Sequence, residues 1–179
     1  MRKLATTLLL SATAACSLAA VAGTEADGNE VQTSNVEITW EDPKSYTDVR
    51  PSNESRVRFR NRVMRELGEY FEELAESLPE GQQLSINVTN VDLAGHVWPT
   101  FGGGAVDIRI IRDLDIPRMT FSYSLSENNE VIKTADVSLK DMAFMNRATN
   151  IRHNDALRYE KVMLKRWFDK EFADSLVKS

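Results

Sequence analysis

The chain has two histidines, His96 and His153, and each has a carboxylate a few residues away. Asp92 precedes the first histidine and Asp155 follows the second. Two imidazoles and a carboxylate that converged in the fold would make a plausible open metal site. No His-x-x-x-His or similar spacing supports that convergence, and two unrelated surface histidines are the simpler interpretation. The sequence therefore predicts neither a resident metal nor a cofactor.

Nucleophilic catalysis has no recognisable motif either, because no serine stands in a pattern such as Gly-x-Ser-x-Gly. Four aspartates near predicted loops have no spacing that marks a catalytic pair: Asp92, Asp113, Asp115 and Asp141. We therefore interpret the protein as a non-enzymatic binding or interaction module. A metal-dependent or hydrolytic enzyme that uses His96, His153 and nearby aspartates is the alternative.

Residues 95–104, GHVWPTFGGG, form the most unusual loop of the sequence. His96, Trp98 and Phe101 on this glycine-flanked loop could form an aromatic lip for a ligand or partner. Three glycines without a following Lys-Ser/Thr do not make a phosphate-binding P-loop. The simpler interpretation is a hairpin loop whose aromatic side chains fold back onto the core.

Residues 107–118, DIRIIRDLDIPR, place charged side chains along a predicted strand and its exit. Arg109, Arg112 and Arg118 either pair with acids of neighbouring elements or line a groove, where a guanidinium would bind an anion bidentately. Internal pairing is the simpler of these two uses. Tyr159, between Arg158 and Lys161, has the same ambiguity between ligand contact and a solvated helix face.

Two long helices are expected to position these groups. Apolar residues at three-and-four spacing predict the first over about 55–78, capped by Ser52 or Asn53 and stopped by Pro79-Glu80-Gly81. The second is predicted over 155–176. Its apolar face consists of Leu157, Leu164, Trp167, Phe168 and Phe172.

Alternating patterns predict five strands. They cover residues 36–40, 84–93 with a bulge near Thr89-Asn90, 106–111, 119–126 and 131–139, and Asn128-Asn129 has the chemistry of a hairpin turn. The apolar strand at 106–111 is expected to be central. The order predicts an α+β fold, in which a mostly antiparallel sheet of about five strands carries both helices on one face and the first strand can pair in parallel.

Residues 1–22 are typical of a cleaved signal peptide, with Arg2 and Lys3 before an apolar run and a small-x-small site at Ala20-Val21-Ala22. Lipidation at Cys16 is an alternative that would make an envelope lipoprotein with a structural role. An uncleaved anchor would be a poor one, because Ala, Thr and Ser dominate the segment. Residues 23–35 are expected to be a flexible leader and residues 36–176 a single domain.

Cleavage would remove Cys16, the only cysteine, and leave 20 basic against 27 acidic residues, so the net charge would change from −5 to −7. Disulfides are then excluded from the mature chain. This acidity argues against a nucleic-acid partner, although it leaves room for a local basic patch. The expected location is the periplasm of a Gram-negative cell. The expected partner is a protein or small ligand of the envelope, with membrane attachment only if Cys16 is lipidated.

Five short segments, in order, resemble the domain of unknown function 3016 family of secreted proteobacterial proteins. They are residues 36–48, 90–95, 107–109, 115–118 and 157–161, and the resemblance spans about 36–172. The resemblance implies a periplasmic, stand-alone domain. It implies no activity and therefore no catalytic residues.

Overall fold

The computed structural model describes residues 35–99, 107–147 and 150–176. Its strands are β1 (Val36–Trp40), β2 (Gln82–Asp92), β3 (His96–Trp98), β4 (Ile108–Ile110), β5 (Arg118–Glu127) and β6 (Glu130–Lys140). Its helices are α1 (Arg56–Ala75), α2 (Arg158–Glu171) and the single turn α3 (Ala173–Leu176), with a 3-10 turn at Phe144–Asn146. Among these residues, no helix has both the length and the apolar character that a membrane span requires.

The main sheet has the order β1-β2-β5-β6, with β1 parallel to β2 and the other pairs antiparallel. The predicted bulge is confirmed by a register shift between Val88 and Asn90. Val91 therefore stays on the buried face although it differs in parity from Val88. Asn128 and Asn129, both with positive φ, make the tight turn of the β5–β6 hairpin.

Both helices cover one face of this sheet, as predicted. Phe121 of β5 lies edge-on between Phe71 of α1, 5.9 Å away, and Trp167 of α2, 4.8 Å away. The alternate serines and threonine of β5 face away from the helices and are at least partly exposed. The α+β class is therefore confirmed, as a two-layer sandwich with one wet sheet face.

The predicted central strand at 106–111 is wrong. In the described part of that segment, which begins at Asp107, the strand comprises Ile108–Ile110, and it pairs with β3 in a separate two-stranded ribbon rather than with the main sheet. Apolar residues in a short run are compatible with either placement, and only the pairing decides between them. The main sheet has four strands among the described residues, and the sequence did not predict the ribbon.

The ends of the helices differ from the predictions in detail. The N-cap of α1 is Ser55, whose side chain makes no capping hydrogen bond, so neither Ser52 nor Asn53 caps the helix. The second predicted helix is interrupted at Phe172, which separates α2 from α3. Its predicted apolar face is buried throughout.

Candidate functional site

One end of the sandwich, which we call the loop end, gathers parts of the segments that carried the resemblance. There β2 ends beside the start of β5, with Asp92 paired to Arg118 in the register. Residues 46–48 run alongside β2, because the Tyr46 hydroxyl donates to Val88 O over 2.9 Å and Asp48 forms a bridge with Asp92. Segments distant in sequence therefore meet at one place.

Arg109 fixes the ribbon to this end. Its Nη1 donates to Asp48 Oδ2 over 3.0 Å and to the carbonyl oxygens of Ala94 and Gly95 over 3.1 and 3.0 Å. Its Nη2 donates to the carbonyl oxygen of Arg50 over 3.1 Å. The guanidinium nitrogens of Arg109 thus donate to acceptors of the protein itself, so Arg109 is a structural clamp rather than an anchor for a ligand.

Gly95 permits the close approach of the two ribbon strands. It has φ +79, and a Cβ at this position would lie 2.5 Å from the carbonyl oxygen of Ile110. Its N–H donates to Asp115 O over 2.9 Å. Only glycine combines this φ with this contact at little cost, so the corner before β3 requires it.

The outer face of the ribbon is apolar and exposed. The register pairs Trp98 with Ile108 and His96 with Ile110, so these four side chains share one face. Trp98, Ile108 and Ile110, which we call the ribbon face, are 43%, 46% and 39% exposed. On the inner face of the ribbon, Val97 is buried opposite Arg109. The inner face is therefore held against the rest of the domain, and the ribbon face lies on the exposed side.

Two polar groups support Trp98. His96 lies edge-on to its indole with the ring centroids 5.9 Å apart, and the Arg112 guanidinium lies 5.1 Å from the ring centroid. Arg112 also donates from Nε to Asp115 Oδ2 over 2.7 Å, and this hydrogen bond lowers the pKa of Asp115. The predicted residues His96, Trp98 and Arg112 are therefore brought together.

A cavity of about 220 Å³ lies between the ribbon base and the main sheet. Its charged lining consists of Asp48, Arg50, Asp92, Asp115 and Arg118, with His96 at its edge. The three aspartates all have arginine partners, including Arg118 Nη1 at 2.9 Å from Asp92 Oδ2. The carboxylates of the cavity therefore support the fold through ion pairs.

Glu160 lies under the loop end and was not among the residues singled out from the sequence. It is 1% exposed, and its Oε1 accepts the N–H of Ala94 over 2.7 Å while Oε2 has no partner among the described residues. Burial raises its pKa, against the lowering effect of the Ala94 N–H. Its spacing from Leu157 and Leu164 places it on the buried face of α2, and that spacing was a usable signal.

The match to a family model covers residues 34–170, nearly all of the described structure. The family is described as protein of unknown function (DUF3016). The chain belongs to this family. No curated protein and no solved structure matches the chain.

Other predicted site residues of this DUF3016 protein lie apart from the ribbon face. Tyr159 packs edge-on against Phe144, with the ring centroids 4.7 Å apart and the Arg158 guanidinium 5.1 Å from the tyrosine ring. His153 contacts the side chain of Arg158. Phe101 and Cys16 lie outside the described residues.

The described part of the DUF3016 domain contains no group of three or more His, Cys, Asp or Glu side chains placed to hold a metal ion. Asp92 and Asp155, the carboxylates considered with the histidines, are paired with Arg118 and Lys161 respectively. What the loop end offers chemically is a rigid apolar surface with an aromatic anchor and an arginine beside it.

Proposed function

We propose that this protein is an exported, non-enzymatic interaction module of the cell envelope, and that it binds a protein partner through the ribbon face. Residues 1–22, with the composition of a signal peptide, support the location in the periplasm. The observation that carries the binding role is the ribbon face itself, where three large apolar side chains stand exposed on a ribbon clamped from behind by Arg109.

Exposed apolar side chains on a fixed backing favour binding for two reasons. Full burial of a fully exposed large apolar side chain contributes roughly 1.5–3 kcal/mol, and because these three side chains are already more than half buried, each would contribute roughly half of that range against a partner. The clamp by Arg109 means that little conformational freedom remains to be lost on association. The ribbon face is thus preorganised for contact.

The composition of the surface indicates the kind of partner. Trp and Arg are the residues that most often dominate binding energy at protein interfaces, and here Arg112 lies over the ring of Trp98. Exposed charged residues adjoin the ribbon in sequence, among them Asp107 before β4 and Asp113 after it. A partner with a small apolar pocket and a polar rim would complement this arrangement.

The test compares binding by three forms of the mature protein immobilised for capture from periplasmic extract. The double variant Trp98→Ala/Ile108→Ala should lose the captured partner, because truncating an interface anchor weakens binding by roughly thirtyfold or more. The control is Ile132→Ala, since Ile132 is exposed to a similar degree on β6, outside the ribbon. Equal recovery by the double variant would remove the ribbon face from the proposal.

The partner is then identified and titrated as a purified protein against the same three forms. Sedimentation of the protein alone separates a foreign partner from a second copy of this chain.

Export has its own test, the mass of the mature N-terminus in the periplasmic fraction. A start at Gly23 supports simple cleavage, an acylated start at Cys16 supports the lipoprotein, and retention of Met1 in the cytoplasm contradicts the proposal.

A further inference from the structure

We propose that the outer edge of β1 and the neighbouring side of α1 form a docking groove for an extended segment of another protein, which adds to the sheet as a further strand. This groove, which we call the edge groove, has a volume of about 420 Å³. It is lined by Val36, Ile38 and Trp40 of β1 and, on α1, by residues that include Met64, Gly68 and Glu72. It shares no residue with the ribbon face.

The outer edge of β1 offers backbone groups for pairing. Among the described strands, β1 is at the margin of the sheet and pairs only with β2. The carbonyl oxygen of Asn35 and the N–H of Glu41, at the two ends of β1, bond to β2 over 2.8 and 2.9 Å. Backbone groups of successive residues alternate between the two sides of a strand, so Ile38 and Trp40 direct their N–H and C=O groups outward. An added strand would bond to these groups.

Gly68 keeps the edge groove open. Its backbone is helical, so no positive φ requires glycine in the interior of α1, where alanine would be more stable. The nearest atom outside the helix to a Cβ at this position would be Ile38 Cδ1, 3.7 Å away, so a longer side chain would extend into the groove. Met64, Gly68 and Glu72 recur every four residues and therefore lie on the same side of α1. The groove, and not the fold, accounts for the glycine.

The apolar side chains of β1 define what the added strand must carry. Val36, Ile38 and Trp40 pack against the core and are only partly buried. Residues directly opposite each other on paired strands lie on the same face of the sheet, and side chains alternate between the two faces. Every second side chain of the added strand would therefore enter the edge groove, and apolar residues at those positions would complete the burial of the β1 side chains.

The charges at the rim indicate a basic residue in the same segment. Arg65 pairs with Glu66 and Glu69, whereas the exposed Glu72 has no ion pair among the described residues. A Lys or Arg of the added strand would pair with Glu72. Residues 23–34 of this chain fit poorly, because they contain three acids and no basic residue, and a second copy of this chain has a net charge of −5. The geometry and the charge therefore favour a segment of a different protein.

The experiment selects ligands from a library of random short peptides displayed on phage, with the immobilised mature protein as the target. The selected sequences should carry apolar residues at every second position and at least one Lys or Arg. A synthetic peptide with the consensus sequence is then titrated by fluorescence polarisation against the wild type and the variants.

Gly68→Leu should fill the edge groove and weaken peptide binding on the order of tenfold or more. The matched control is Glu73→Leu, which places the same side chain at an exposed position of the same helix, outside the groove, and should bind as the wild type does. Glu72→Lys should weaken binding by about fivefold, and replacement of the basic residue of the peptide by Glu should restore it. Circular dichroism must show that each variant folds, and Gly68→Leu should keep or raise the melting temperature because leucine favours a helix over glycine.

Equal binding by Gly68→Leu and the wild type would overturn the proposal, as would selected peptides without the alternation or a selection that yields no binder. The variant Trp98→Ala/Ile108→Ala should bind the peptide normally, so its failure in partner capture is distinguishable from failure of the edge groove. Competition by a peptide with the sequence of residues 23–34 would overturn the proposal in favour of the chain's own leader. Self-association of the wild type that Gly68→Leu abolishes would overturn it in favour of a second copy.

Discussion

Nη1 of Arg109 lies 3.0 Å from Oδ2 of Asp48, and this ion pair joins the ribbon to the segment that precedes α1. The two residues are 61 positions apart in sequence. Among the described strands, β3 and β4 pair only with each other, so this clamp and the corner at Gly95 hold the ribbon against the main sheet. The stability of the ribbon should therefore depend on Arg109.

Replacement of Arg109 by Met should lower the free energy of unfolding by about 3 kcal/mol or more. Asp48, which is largely buried, would keep an uncompensated charge, and three backbone carbonyls would lose their donor. Urea unfolding measures the change. Arg65→Met is the control, because Arg65 is exposed and pairs at the surface with Glu66 and Glu69, so its replacement should change the free energy of unfolding by less than about 1 kcal/mol.

A double-mutant cycle tests the cause. Asp48→Asn removes the charge that Arg109→Met leaves without a partner, so the two substitutions together should destabilise by less than the sum of their separate effects. Strict additivity would show that the Arg109–Asp48 pair does not account for the clamp.

Glu160→Gln should stabilise the protein at neutral and alkaline pH and have less effect in acid. Because burial raises the pKa of Glu160 in the folded state, its contribution to stability is complete below the unfolded value, 4.5, and is lost as the pH rises through the folded value. Gln keeps the acceptor for Ala94 N–H and carries no charge. Melting temperatures of both forms at pH 4 and pH 8, roughly either side of the unfolded value, measure this. A gain in melting temperature that is the same at both pH values would contradict a raised pKa of Glu160 as its cause.

Local patterns predicted much of the fold. The change of parity between Val88 and Val91 predicted the bulge, and consecutive asparagines predicted the hairpin turn, because each signal lies within a few residues of its effect. The alternation in β5 predicted a sheet with one wet face for the same reason.

The ribbon and its clamp depend on long-range contacts, and the sequence carries no local signal for them. Ile108 and Ile110 have the same apolar character whether they lie inside a sheet or outside it, so their exposure could not be predicted. The sequence did predict that Arg109 either pairs internally or lines a groove. The choice between these two uses depends on the approach of residues 48–50 to β4, which supplies acceptors for the Arg109 guanidinium.

Glu171→Gln should have the opposite pH dependence from Glu160→Gln. Hydrogen bonds from Lys133 and Tyr123, at 2.8 and 2.6 Å, lower the pKa of Glu171. Its contribution is therefore present above the unfolded value, 4.5, and is lost as the pH falls through the folded value. The free energy of unfolding of the variant should be about 1 kcal/mol lower than that of the wild type at neutral pH, and the difference should be smaller in strong acid. Urea unfolding across this range checks the sign, and a loss that grows toward acid would contradict it.

Two glycine substitutions should have opposite effects on stability. Gly95→Ala would place a Cβ 2.5 Å from Ile110 O at a positive φ, so it should lower the free energy of unfolding by more than about 1 kcal/mol and displace β4. Gly68→Ala, inside α1, would place a Cβ 3.7 Å from Ile38 Cδ1, an ordinary contact, and should raise the free energy of unfolding by about 0.5–1 kcal/mol. Urea unfolding measures both.

The same pair of variants separates stability from partner binding. Gly95→Ala should also weaken capture of the partner, because the displacement of β4 moves Ile108 and Ile110 relative to Trp98. Gly68→Ala leaves the ribbon untouched and should bind as the wild type does. If Gly95→Ala kept full binding at a temperature where it remains folded, the fixed geometry of the ribbon face would not be what the partner recognises.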